Sequence, residues 1–219
     1  MKQHFNHVRE WVFDLDNTLY APTAGIFDQM DDLMTLWITR ELKIGVAEAE
    51  ALRGHYLAEY GTTLGGLIKH HGIDADDFLE KTHALDLTVL SPDPILREGI
   101  EALPGRKIVF TNGSRAHAER VVRARGLEGA FDVLYGIEDA GYISKPDGRA
   151  FKTVFDEARL DPDAAAMFED TLVNLHIPHR LGMRTVLVGE DAHDAHDHVH
   201  HATDDITDFV SRLIATAQV

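Results

Sequence analysis

Residues 12 to 19 read Val-Phe-Asp-Leu-Asp-Asn-Thr-Leu, and Trp11 precedes them. The apolar run Trp11-Val12-Phe13 predicts a buried strand over 10–15. In an ideal strand, residues two apart share a face. Asp14 and Asp16 would then leave the strand end together, and Asn17-Thr18 predicts a turn after them. Two carboxylates so placed suit a divalent cation and a shared reacting group, one attacking as nucleophile while the other handles protons. Solvated acids capping a strand end would give the same pattern, because a bare Asp-x-Asp is short and common.

Three further clusters decide between these readings. Lys107-Ile108-Val109-Phe110 is a second apolar run, and it ends in Thr111-Asn112-Gly113-Ser114. Ser144-Lys145-Pro146 puts a lysine in a turn after Gly141, and Ala165-Ala166-Met167-Phe168 runs into Glu169-Asp170, with Asn174 four residues on. Strands are expected over 10–15, 106–111, 132–135, 165–169 and 184–188. Helices are expected over 93–103, 114–125, 147–158 and 172–181, the last interrupted or restarted by Pro178. Such alternation predicts a mostly parallel sheet covered by helices. In an open α/β sheet, ligands bind beyond the carboxyl ends of the strands, which is where all four polar clusters fall.

Residues 20 to 87 break that rhythm. Ile26, Phe27, Met30, Leu33, Met34, Trp37 and Ile38 follow helical spacing. Residues 46–60 and 74–83 also read as helices, and no strand signal intervenes. The expected organisation is an α/β core of residues 1–19 and 88–219, with a helical insertion over 20–87.

In this order, the motifs Asp14-Leu15-Asp16-Asn17-Thr18, Thr111-Asn112-Gly113, Lys145-Pro146 and Glu169-Asp170 with Asn174 resemble the haloacid dehalogenase-like hydrolase superfamily. Phe13 to Tyr20, the stretch Gly61-Thr62-Thr63-Leu64-Gly65-Gly66-Leu67, and Phe168 to Leu175 look like its pyrimidine 5'-nucleotidase branch. The resemblance implies a doubly wound, Rossmann-like core with a small all-helical cap after the first strand. It also implies Mg²⁺-dependent hydrolysis of a small phosphomonoester, such as UMP or CMP, through an aspartyl-phosphate. Asp14 would be the nucleophile and Asp16 the general acid/base. Thr111, Asn112, Gly113 and Lys145 would hold the phosphate. Asp14, the backbone carbonyl of Asp16, and Asp170 would bind Mg²⁺. Glu169 and Asn174 would support the site, Glu169 beside or through water on the metal and Asn174 by orienting the loop or Lys145. Thr62 and Thr63 are candidates for substrate selection, or else simply a helix cap and turn. Members that cleave carbon–halogen bonds generally lack the second acid, so Asp16 points to phosphoryl transfer.

Composition limits the alternatives. A formal net charge of -16 argues against a nucleic-acid polymer as partner, because such binding relies on Lys and Arg contacts to phosphates. A small phosphorylated metabolite remains compatible, since a bound cation and one lysine can set the local field. The chain has no cysteine, which removes thiol chemistry and fits a cytoplasmic protein. No stretch approaches the roughly 18 apolar residues of a membrane span, and the N-terminal residues lack an apolar signal region. A monomer or homodimer is expected. His193, His196, His198, His200 and His201 lie among aspartates. They read as a solvated loop leading to a last short strand near 199–202, with transition-metal binding as the alternative. Three rival functions stay open: a broad-specificity small-metabolite phosphatase, a phosphoglucomutase-type phosphotransferase, and a regulatory or metal-binding protein that keeps the fold.

Overall fold

The computed structural model describes residues 2–189 and 196–215. Six parallel strands form one sheet: β1 (Glu10–Phe13), β2 (Arg106–Phe110), β3 (Val133–Tyr135), β4 (Ala165–Glu169), β5 (Arg184–Val188) and β6 (His201–Thr203). Their order is β3-β2-β1-β4-β5-β6, a doubly wound arrangement that grows outward in both directions from β1. All five expected strands form, and β6 lies where the last short strand is expected.

Alternation along the strands divides the core. Trp11, Phe13, Val109, Ala166 and Phe168 belong to one apolar cluster, while Val12, Ile108, Phe110, Ala165 and Met167 belong to the other. Residues one apart thus feed opposite faces, as the pleat requires. Phe13 stacks on Phe168 with ring centroids 4.7 Å apart. The Trp11 indole donates to the Pro104 carbonyl at 2.8 Å.

Helices α5 (Pro94–Ala102), α6 (Arg115–Ala124) and α7 (Gly148–Ala158) lead from strand to strand in the core, and α9 (Ile206–Ala215) follows the last strand. Their starts are written in the sequence. Asp93 accepts from the Leu96 amide at 2.9 Å, Ser114 from the His117 amide at 3.2 Å, and Asp147 from the Arg149 amide at 2.8 Å, each satisfying an orphan donor of the first turn. The helix expected over 172–181 divides into a 3-10 turn, Leu172–Leu175, and α8, His176–Arg180. Pro178 falls in the first turn of α8, where backbone N–H groups have no intrahelical partner.

Between β1 and α5 come α1 (Ile26–Leu42), α2 (Val46–Tyr60), α3 (Thr63–His71) and α4 (Ala75–Thr82), with no strand among the described residues. Trp37, Ile38, Tyr56, Leu67 and Phe78 form their apolar centre, and Ile137 and Tyr142, from the segment after β3, complete it. Helix α3 falls outside the expected helical stretches, although Thr62 reads as a possible helix cap and does cap it; Gly65 and Gly66 weaken its helical propensity. Packing explains it: a Cβ at Gly66 would lie 2.1 Å from Cγ of Tyr56, so the glycine lets α2 and α3 approach closely.

Among the described residues, no helix is long and apolar enough to cross a membrane. His198 contacts the Leu172 carbonyl at 3.1 Å, and His200 contacts the Thr185 hydroxyl at 2.8 Å. These two rings thus pack against β5 and the turn after β4, rather than standing free in a solvated loop. His193 lies outside the described residues.

Candidate active site

Sheet register brings the clusters together. Phe13 pairs with Val109 on one side and Phe168 on the other. The next residues along the three strands are Asp14, Phe110 leading to Thr111, and Glu169 leading to Asp170. They therefore share one end of the sheet, at the central strand. Lys145 arrives from the loop between β3 and α7. Asp14, Asp16, Thr111, Asn112, Gly113, Lys145, Glu169, Asp170, Asn174, Thr62 and Thr63 all line one cavity of about 670 Å³.

The strand reading of Asp16 needs correction. β1 ends at Phe13, and the chain turns at once, with the Leu19 amide bonded to the Leu15 carbonyl at 2.9 Å and Asn17 at a φ of 59°. Alternation stops where the ladder stops, so the two acids face different partners.

Asp14 faces charge. Its Oδ1 accepts from the Lys145 ammonium at 2.7 Å and its Oδ2 from the Thr18 hydroxyl at 3.2 Å. Lys145 is 1% exposed; it also donates to the Phe110 carbonyl at 2.8 Å and lies 3.5 Å from Glu169. Burial alone would strip its proton, but the charges of Asp14 and Glu169 hold the pKa above the ordinary lysine value. Glu169 accepts from the Asn174 amide. Burial, then the Asp14 charge, raises the Glu169 carboxyl well above the usual range and pushes Asp170 up to about 7. Burial likewise raises Asp14, against the pull of Lys145.

Asp16 faces rings. Its Oδ1 receives the Tyr20 hydroxyl at 2.6 Å and lies 2.7 Å from Nε2 of His117. Burial opposes ionisation, but His117 and Tyr20 outweigh it and hold the carboxyl below the ordinary aspartate range. His83 stacks on His117 with centroids 4.6 Å apart and lies 3.0 Å from the Ser114 hydroxyl. Burial, then His117, pushes the His83 pKa down to about 3.

The remaining residues build the frame. The Thr111 hydroxyl accepts from the Gly113 amide at 2.9 Å, which leaves its own proton to donate. The Asn112 amide, expected to grip phosphate, engages the Lys145 backbone in both directions, at 2.8 and 3.1 Å. It ties the lysine loop to the β2 turn. Asn174 orients Glu169. Thr62 caps α3, accepting from the Gly65 amide at 3.1 Å, and Thr63 is buried beside it. Gly61, at a φ of 76°, sits where a Cβ would lie 3.3 Å from the Ser144 hydroxyl and 3.5 Å from the Lys145 carbonyl. The helical insertion thus touches the lysine loop directly.

Asp14, Glu169 and Asp170 each offer a carboxylate oxygen, all within 4.8 Å of one another, and form the one such group of three among the described residues. Two buried carboxylates and the half-buried Asp170 share a single ammonium, and burial is the first cause of their raised pKa values. A hard divalent cation fits that donor set and that charge deficit. The carboxylate of Asp16 stands outside the group.

His117, Tyr20 and His83 carry no site role in the four sequence motifs. Tyr20 had a signal in its place right after the acid motif, and His117 had one in falling three residues after a Ser helix cap. His83 had none, because only the fold brings it to α6.

Comparison with known proteins agrees with this geometry. A family model for the haloacid dehalogenase-like hydrolases matches residues 11–176. Phosphate metabolism protein 8 of Saccharomyces cerevisiae is 32% identical over 194 residues, which cover 80% of this chain and 60% of that protein. The chain therefore spans less than two thirds of that relative's length. Among solved structures, a HAD phosphatase from Thermococcus onnurineus superposes with a TM-score of 0.64 at 17% identity, covering 94% of this chain and 98% of that one. A 2-haloacid dehalogenase from Pseudomonas syringae pv. Tomato superposes with a TM-score of 0.58 at 22% identity, covering 96% and 99%. Phosphatase and dehalogenase thus share this fold, and the fold does not choose between them.

Proposed function

The chain belongs to the haloacid dehalogenase-like hydrolase family, and from that premise we propose that it is a Mg²⁺-dependent phosphomonoester hydrolase. The observation that carries this reading is the second acid. Asp16 lies within the cavity that holds Asp14 and Lys145, and its carboxylate is engaged by ring donors rather than by Lys145. A second acid in that position has a use in expelling and activating oxygen leaving groups. The curated relative's name, phosphate metabolism protein 8, points the same way.

In the proposed reaction, an oxygen of Asp14 forms a bond to phosphorus as the ester P–O bond breaks. The departing oxygen takes a proton from Asp16 and leaves as an alcohol. Water then attacks the aspartyl-phosphate and gives its proton to Asp16. Phosphate departs and Asp14 is restored. Lys145, the Thr111 hydroxyl and the turn at Gly113 hold the phosphoryl oxygens. Mg²⁺, when held by Asp14 and Asp170 with Glu169 alongside and the Asp16 carbonyl, supplies charge neutralisation at the phosphoryl group.

The four inserted helices serve as a lid that excludes water and selects the substrate. Phe27, Met30, Met34, Leu57 and Phe78 give the cavity an apolar wall, and Arg53 in it is ion-paired with Asp31. A flat ring with a few hydrogen-bonding edges suits such a wall better than a second phosphate does. This supports a pyrimidine nucleoside 5'-monophosphate as the substrate class.

Phosphate release from UMP, CMP, AMP, sugar phosphates, phosphoglycolate and pyridoxal phosphate, with Mg²⁺ or EDTA, tests the reading. The expected result is Mg²⁺-dependent turnover that favours UMP or CMP and is lost in Asp14→Asn. Preference for another ester would retain the chemistry and reject the substrate class. Absence of turnover on every ester would reject both.

A further inference from the structure

A phenol and an imidazole converge on one oxygen of Asp16, and with the ring proton of His117 on Nε2 both donate to it. Nε2 of His117 lies 2.7 Å from Oδ1, and the Tyr20 hydroxyl lies 2.6 Å from the same atom. A carboxylate oxygen has two lone pairs in its plane, so Oδ1 is saturated. Oδ2 lies on the side of the phosphate turn, where a Cβ at Gly113 would come 3.5 Å from it.

We propose that His117 is a positioning residue: with Tyr20 it occupies Oδ1 and thereby assigns the transferred proton to Oδ2, which faces the reacting oxygen. The assignment rests on the reading of Asp16 as general acid. His117 itself is fully buried and does not line the cavity, so it acts through Asp16 alone. Its ring is held from three directions. The helix start fixes its backbone, with its amide on the Ser114 hydroxyl. His83 stacks on its face. Arg120 pins His83 in turn, donating to the His83 carbonyl at 2.5 Å and the Leu85 carbonyl at 2.6 Å. The other ring nitrogen, Nδ1, is buried with no hydrogen-bond partner among the described residues. Buried polar atoms are almost always paired, so this histidine leaves one atom unsatisfied while its other nitrogen serves Asp16.

The departing oxygen takes the proton from Oδ2 while the P–O bond breaks, and Oδ1 keeps its two donors throughout. An alkyl leaving group needs that proton; a p-nitrophenolate leaves without it. The test is kcat/KM with Mg²⁺, which reports formation of the aspartyl-phosphate. It compares p-nitrophenyl phosphate with the alkyl phosphate turned over best, in wild type, His117→Leu, His117→Gln, Tyr20→Phe and Asp16→Asn. In His117→Leu the alkyl-to-aryl ratio should fall by about 10- to 100-fold, short of the roughly 10²–10⁴-fold that loss of the general acid itself would cost. The Gln amide can replace the Nε2 donor, so His117→Gln should return the ratio close to wild type. Tyr20→Phe should lower the ratio in the same direction, and it decides the matter with His117→Gln if His117→Leu does not fold. Equal losses on both esters in His117→Leu, or an unchanged ratio in Tyr20→Phe, would overturn the assignment while a selective loss in Asp16→Asn leaves the acid role standing. Equal losses in Asp16→Asn itself would remove the acid role, and the assignment with it.

Discussion

The pocket around Asp14 and the pocket around Asp16 start from the same residue type, two positions apart, and end as opposites. Around Asp14, two further carboxylates and a buried ammonium crowd together, and burial raises all three acids. Around Asp16, an imidazole and a phenol face the carboxylate and, against its burial, hold the carboxyl below its ordinary range. Here the divergence comes from chain geometry. β1 stops at Phe13, so the turn carries Asp16 away from the strands toward α6.

Four experiments can break or sharpen that contrast. The largest effect is expected for Asp14→Asn, with kcat lower by at least about 10³-fold, as for loss of a nucleophile acting within a unit. Residual turnover close to wild type would place the nucleophile elsewhere. Next is Lys145→Met, which leaves the acids of the Asp14 pocket without their cation. Loss of one partner of a buried pair costs about 3–5 kcal/mol, so urea denaturation should show a fall of that order. A change under about 1 kcal/mol, the scale of a surface pair, would mean that the lysine does not balance the cluster.

A smaller effect is expected from the cation. Titrating Mg²⁺ into EDTA-treated protein should raise the unfolding free energy by about 2.7 kcal/mol at a hundred times Kd. Asp170→Asn should abolish most of that gain, whereas His117→Leu should retain it, because the Asp16 pocket contributes no side chain to the acid cluster. The smallest effect concerns pH. His83 has a folded pKa of about 3 against an ordinary 6.5, so the unfolded chain binds its proton first. The stability this ring contributes is then full above pH 6.5 and falls as pH drops, by roughly 2 kcal/mol between pH 6.5 and 5. His83→Phe should flatten the thermal-melting slope between pH 6.5 and 5; an unaltered slope would assign the acid sensitivity to other groups.

The sequence made much of this molecule legible, for identifiable reasons. The strands are apolar runs bounded by polar clusters, and helices such as α4 begin at capping acids like Asp74. Both are local signals. The residues around Asp14 were readable because each stands at a strand end or beside a turn proline. What stayed hidden depends on contact. Helix α3 exists because Gly66 fits against Tyr56, a fact that propensity counts against it. Of the partners of Asp16, Tyr20 stands only four residues on, but His117 comes from α6, 101 residues away, and His83 backs it from the end of the helical insertion; no local pattern announces that second meeting.

The two tryptophans of the chain are divided between its two apolar bodies. Trp11 is buried in the sheet, bonded to Pro104. Trp37 lies among the inserted helices, edge-on to Phe78 at 5.0 Å and donating to Asp77 at 2.9 Å. The protein therefore carries one intrinsic fluorophore on each side of its own seam. A Trp37→Phe chain would emit from the sheet alone and a Trp11→Phe chain from the helices alone. Their emission shifts on titration with substrate or denaturant would separate movement of the insertion from melting of the core.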